Sequence, residues 1–140
     1  MKAGTVMKYK VLNILFWFWL IITVVLSIIP KTPDSRVYAW GIEFRLDYAE
    51  HLIFYFVLGM LFVKSKRQIL DANVGLKVLI IFIWVIFGVL TEYVQKLVPG
   101  RSFNPNDMYY NITGLITGLM LTAVVLQLKS NSGNQSVPAG

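Results

Sequence analysis

A chain of 140 residues that is 56% hydrophobic and 14% charged, with a mean hydropathy of +0.64, falls outside soluble-domain composition and points to a single integral membrane domain. The absence of cysteine excludes disulfides, thiolate metal sites and a cysteine nucleophile. The net charge of +6 would suit nucleic acid as a partner, but the basic residues are placed as a topology signal, so no nucleic-acid partner is expected.

Taken in order, residues 1–10 are short and basic, with Lys2, Lys8 and Lys10, and residues 11–29 form an apolar run broken only by Asn13, Thr23 and Ser27. That run is long enough to cross a bilayer. It exceeds a signal-peptide core and no A-x-A site follows it before Pro30, so it is read as an uncleaved first helix. Residues 30–46, with Pro30, Pro33, Gly41 and several charges, read as a loop.

The second predicted helix covers residues 47–63. Only residues 52–63 are purely apolar, too few to span. Including the turn that carries Asp47, Glu50 and His51 extends it to about 25 Å at ~1.5 Å per residue, so the polar turn belongs to the span. A basic loop follows, with a turn near Asn73 to Gly75. The third helix is predicted over residues 76–94, ending before Pro99 and Gly100, and the fourth over residues 107–128 with Asn104 or Asn106 as N-cap. Residues 129–140 lack apolar periodicity and read as a disordered tail. The expectation is therefore an all-α, four-helix transmembrane domain over residues 1–128.

Orientation follows from the loop charges. One side holds Lys2, Lys8, Lys10, Lys64, Lys66, Arg67, Lys77 and Lys129 against the lone acid Asp71. The other holds Lys31, Arg36, Arg45, Lys96 and Arg101 with Asp34, Glu43, Asp47, Glu50, Glu92 and Asp107. By the positive-inside rule both termini are cytoplasmic.

At 100° per residue, Asp47, His51, Phe54 and Leu58 share one arc of the second helix, with Tyr55 beside it and Glu50 on the opposite flank. Trp84, Gly88, Glu92 and Gln95 share an arc of the third, and Asp107, Asn111, Gly114 and Gly118 an arc of the fourth. Each stripe is polar at its outer end and carries small residues deeper down. Gly114 and Gly118 make a G-x-x-x-G pair that admits a close backbone, and Gly59 and Gly88 are expected to act alike. A polar cluster of Asp47, His51, Glu92, Gln95, Asp107 and Asn111, rimmed by Arg101, is the result. Phe16, Trp17, Phe18 and Trp19 are read as lipid or helix contacts rather than a ligand cage.

The ordered series Asp47-x-x-x-His51-x-x-x-Tyr55-x-x-Leu58-Gly59, Glu92-x-x-Gln95, Pro99-Gly100-Arg101 and Asp107-x-x-x-Asn111-x-x-Gly114, with Gly118, resembles the VanZ-like family of small bacterial membrane proteins over residues 47–118. The family usually carries a lysine directly after the Asp of the second helix. Here that position is Tyr48, and the charge is lost or passes to a neighbour such as Arg45. The resemblance implies a bacterial inner-membrane protein with a link to resistance against the glycopeptide teicoplanin.

Three functions suit these residues. The site binds or processes a lipid-linked or peptidoglycan-related envelope molecule, with Gln95, Arg101, Asp107, Asn111 and Tyr55 as ligand-binding residues and Arg101 forking a phosphate or carboxylate. Alternatively, it is an acid/base enzyme using His51, Glu92 and Asp47, or Asp47, His51, Glu92 and Asp107 hold a divalent cation such as Mg²⁺, Ca²⁺ or Mn²⁺. As a third alternative, the polar groups pair with each other only to fix helix register. No cofactor is assigned, and neither H-E-x-x-H nor G-x-S-x-G occurs.

Overall fold

The computed structural model describes residues 3–29, 36–39, 42–101 and 103–134. Four helices account for nearly all of them: α1 (Ala3–Ile28), α2 (Leu46–Ser65), α3 (Val74–Gln95) and α4 (Pro105–Asn134). Each is long and apolar enough to cross a membrane, as expected of a multi-pass membrane protein. Large apolar side chains stay exposed along α1 (Ile14, Phe18, Ile21) and α3 (Val78, Phe82, Ile83), where hydrocarbon rather than water is the natural neighbour.

The helix ends differ from expectation for local reasons. Asn73, read as part of a turn, caps α3 instead: its side-chain oxygen accepts from the backbone N–H of Leu76 at 2.8 Å, which starts the helix at Val74. Asn104 caps α4 in the same manner, accepting from the Asn106 N–H at 3.1 Å, and Pro105 takes the first helical position, where its missing N–H costs nothing. At its far end α4 continues through Lys129 to Asn134, so the expected disorder of residues 129–134 is corrected. Polar composition ended the apolar stripe there without ending the helix, whose last turn is bridged by Ser132 Oγ bonding the Leu128 carbonyl at 3.0 Å. Residues 135–140 of the expected tail lie outside the described residues.

A second correction concerns the loop between α1 and α2. Two strands, β1 (Arg36–Ala39) and β2 (Ile42–Arg45), pair antiparallel with Arg36 opposite Arg45 and Ala39 opposite Ile42. The segments VYA and IEF supply β-branched and aromatic residues at strand spacing, a signal masked by the preceding prolines and the neighbouring charges. A 3₁₀ turn (Arg67–Asp71) joins α2 to α3.

α2 and α4 form the central pair of the bundle and run in the same direction, with the most extensive contact between any two elements. Small residues make this possible. A Cβ on Gly114 or Gly118 would collide with the carbonyl oxygens of Leu52 and Phe56, and one on Gly59 would stand 2.6 Å from the Leu115 oxygen. Gly88 is different: a Cβ there meets only Ile112 and Asn111 at 3.6 to 3.9 Å, ordinary contact, so α3 does not need glycine to approach α4. Beneath the seam, Phe16, Phe62, Trp84 and Phe87 pack edge to face, with Phe62 and Trp84 4.9 Å apart at 70°. Of the aromatic run on α1, Phe16 is buried in this core while Trp17 and Phe18 are exposed. Trp19 donates from Nε1 to the Phe54 carbonyl at 2.9 Å, tying α1 to α2.

Candidate functional site

One end of the bundle carries the expected polar residues, and α2, α3 and α4 bring most of them together. The His51 ring on α2 lies against α4, with Nδ1 2.8 Å from Asn111 Oδ1 and Nε2 3.6 Å from Asp107 Oδ2. An amide oxygen only accepts, so the ring nitrogen facing it carries hydrogen, and Nε2 is left toward the Asp107 carboxylate. The same four-residue spacing places Asn111 one turn below Asp107 and His51 one turn below Asp47. Asp107 sits in the first turn of α4, where the helix N-terminus favours a carboxylate.

Asn104, predicted only as a cap, is the residue that links α3 to this pair. Its backbone N–H donates to Glu92 Oε1 at 2.9 Å and its Nδ2 donates to Asp107 Oδ1 at 2.9 Å. Two carboxylates on different helices are thus held by one loop residue. Glu92 and Asn111 are both 0% exposed, and Gln95 is 1% exposed, so the arcs predicted on α3 and α4 do face inward. Glu50, on the predicted opposite flank, is exposed.

Arg101 closes the site from the α3–α4 loop. Nη1 donates to Gln95 Oε1 at 2.6 Å, and Nη2 lies 3.4 Å from the Leu26 carbonyl of α1. Burial pushes the guanidinium pKa down, opposed by the charges of Glu92 and Asp107. Among the described residues, the buried N–H donors Gln95 Nε2, Arg101 Nε and Asn111 Nδ2 have no hydrogen-bond partner. A buried donor left unmatched costs ~1–3 kcal/mol, and such groups call for a specific explanation.

Two expected site residues stand elsewhere. Asp47 is gripped at the rim by Arg45, whose Nη2 and Nε reach its two carboxylate oxygens at 2.6 and 3.3 Å. That bond raises the Arg45 pKa. The same guanidinium lies 4.5 Å over the Tyr48 ring, which stacks on Tyr110 at 4.8 Å and accepts from Asn106 Nδ2 at 3.1 Å through its hydroxyl. The positive charge beside Asp47 therefore comes from Arg45, while Tyr48 fastens α2 to α4. Tyr55 is 1% exposed and bonds Thr91 Oγ1, which in turn donates to the Gly88 carbonyl at 3.0 Å. It forms a floor under the cluster rather than part of its mouth. Thr91 was overlooked in sequence because a threonine in an apolar helix is common; its position one residue before Glu92 was the available signal.

Among the described residues, no group of three or more His, Asp or Glu side chains is placed to hold a metal ion. This counts against the alternative in which Asp47, His51, Glu92 and Asp107 share a cation: Asp47 is engaged by Arg45, and Glu92 and Asp107 are each turned onto Asn104. His51 has both nitrogens directed at protein groups, which makes it a held residue more than one facing an open cavity. What the arrangement offers a visitor is a set of unmatched N–H donors beside anchored carboxylates. The chain matches no family model, no curated protein and no solved structure.

Proposed function

We propose that this chain is a VanZ-like protein of the bacterial inner membrane that binds the polar headgroup of a lipid-linked or peptidoglycan-related envelope molecule, with a connection to glycopeptide (teicoplanin) resistance. The polar end of the bundle faces the extracytoplasmic side and both termini are cytoplasmic, a reading supported by the excess of lysine and arginine at the opposite end. The motif series from Asp47 to Gly118 supports the family.

One observation carries the binding reading: Gln95 Nε2, Arg101 Nε and Asn111 Nδ2 are buried donors without an acceptor among the described residues. Oxygen-rich headgroups carry phosphate, carboxylate and sugar oxygens, all acceptors, and such a group relieves the cost of those donors and of the desolvated Arg101 charge. Binding is favoured over acid/base turnover because His51 is occupied by Asn111 and Asp107, leaving it to position Asn111. A purely structural network would satisfy its own donors, so the unmatched ones weigh against that reading.

The test is extraction and mass spectrometry of lipids carried by the protein purified from bacterial membranes, beside an unrelated four-helix membrane protein treated identically. The expected result is an envelope intermediate enriched on this chain, chemically unchanged, and depleted in Gln95→Leu and Arg101→Gln variants that still fold. Recovery of a converted product would establish turnover instead, and equal lipid content in both proteins would remove the proposal.

A further inference from the structure

The other end of the bundle contains a groove that the polar site does not use. It has a volume of about 140 Å³ and is lined by α2, the 3₁₀ turn, α3 and α4, with Leu70, Ile80, Leu119 and Ala123 among its apolar walls and Lys77 and Gln127 as its polar members. Nearer the polar end α3 lies close to α4, with Gly88 against Ile112 and Asn111; the groove lies further along both helices. Within it, carbon-lined walls meet two hydrogen-bond donors on adjacent helices.

Lys77 lies one turn into α3 and is partly buried, its stem along the apolar wall as a snorkelling lysine requires. Its ammonium group has no ion-pair or hydrogen-bond partner among the described residues. Its surroundings are positive: Lys64, Lys66, Arg67 and Lys129 stand at this end with only Asp71 to oppose them. Lys66 is spent on α1, donating to Asn13 Oδ1 at 2.8 Å, but Lys77 is not. A soluble ligand would gain little from walls that already lie among membrane-spanning segments.

We infer that this groove is a binding site for one anionic phospholipid, which lays an acyl chain against Leu70, Ile80 and Ala123 and sets its phosphate between Lys77 Nζ and the Gln127 amide. Basic pockets between helices are the usual form of such sites. The site is distinct from the polar cluster and depends only on the chain lying in a membrane.

The test uses the full chain in nanodiscs of equimolar phosphatidylglycerol and phosphatidylcholine, released into mild detergent and weighed by native mass spectrometry. One phosphatidylglycerol should remain bound in preference to phosphatidylcholine. Lys77→Ala should lower that preference about fivefold, the ~1 kcal/mol of one lysine at an anionic surface. Lys77→Glu should abolish it, and Ala123→Phe, which fills the groove, should remove both lipids. Lys10→Ala, at the same end on α1, should leave the preference unchanged. Equal retention of the two lipids by the unmodified chain overturns the inference, as does a preference that survives Lys77→Glu, a reading available even if Ala123→Phe does not fold. A dimer that excludes lipid and falls apart in Ala123→Phe also overturns it, and assigns the groove to a second copy.

Discussion

The two ends of this bundle are built from the same four helices and solve opposite problems. At the polar end, charged and amide side chains sit inside the span, so each recruits a partner from another element: His51 from α4, Glu92 and Asp107 from Asn104, Arg101 from Gln95. At the basic end Arg67 and Lys129 are exposed and Lys77 is half-buried beside the groove. A buried polar group in an apolar medium costs several kcal/mol if unmatched, and that cost draws the polar end together. Lysines at a membrane surface exert no such demand.

The seam between α2 and α4 connects the two ends, and breaking it has the largest expected effect. Gly118→Ala and Gly114→Ala each drive a methyl into a backbone carbonyl of α2, which cannot shift without parting the pair. The expected loss is at or above the upper end of the ~1–3 kcal/mol typical of overpacking, measured as the midpoint of SDS-induced unfolding. Gly88→Ala, at ordinary contact distance, should leave that midpoint nearly unchanged. If the three substitutions behave alike, the seam is not where the approach is closest.

The next effect belongs to the polar end. Asn111→Leu removes the acceptor of His51 Nδ1 while also removing an unmatched donor, so it exposes which of the two governs. The expected loss is ~1 kcal/mol, near the bottom of the range for stranding a buried partner, because a deleted orphan offsets part of it. A gain in stability would show that the unmatched Nδ2 outweighs the His51 bond.

The polar arcs were legible in sequence because helical periodicity fixes which residues share a face. It placed Glu92, Gln95, Asp107 and Asn111 inward and Glu50 outward, and it identified Gly114 and Gly118 as points of approach. Partner choice was not legible. Asp47 and Asp107 both lie four residues before a second polar group, yet Asp107 faces His51 and Asp47 faces Arg45, since the α2–α4 register decides that and no single helix encodes it. Asn104 was visible only as a cap, because its bonds to Glu92 and Asp107 depend on how the loop returns. The paired strands were not legible because they are short and follow Pro30 and Pro33, and the groove because it belongs to no one segment.

Asn104→Ala tests the polar end at a single loop residue. It deletes the cap of α4 and the bond to Asp107 Oδ1 while keeping the backbone N–H that reaches Glu92. Loss of an N-cap costs ~1 kcal/mol. Hydrogen exchange should rise in the first turn of α4 and remain unchanged in the glycine seam. Asn104→Asp, which keeps the cap but sets a carboxylate against Asp107, should restore the exchange pattern of the first turn without restoring the link. If exchange rises equally along all of α4, the polar end is not a separable unit.

The smallest effect on folding is expected at Lys77. Its head has no protein partner among the described residues, so Lys77→Ala removes a charge and part of an apolar stem, and the unfolding midpoint should move by no more than the ~0.5 kcal/mol typical of surface changes. The same substitution is expected to change lipid retention at the basic end. That dissociation is what the comparison requires: where helices close on polar groups, a lost side chain is felt by the fold, and where they line a groove beside a lysine it is felt by whatever occupies the groove. A Lys77→Ala protein as destabilised as Asn111→Leu would mean that this lysine is held by the protein after all, and the basic end would then be closed by the same physics as the polar one.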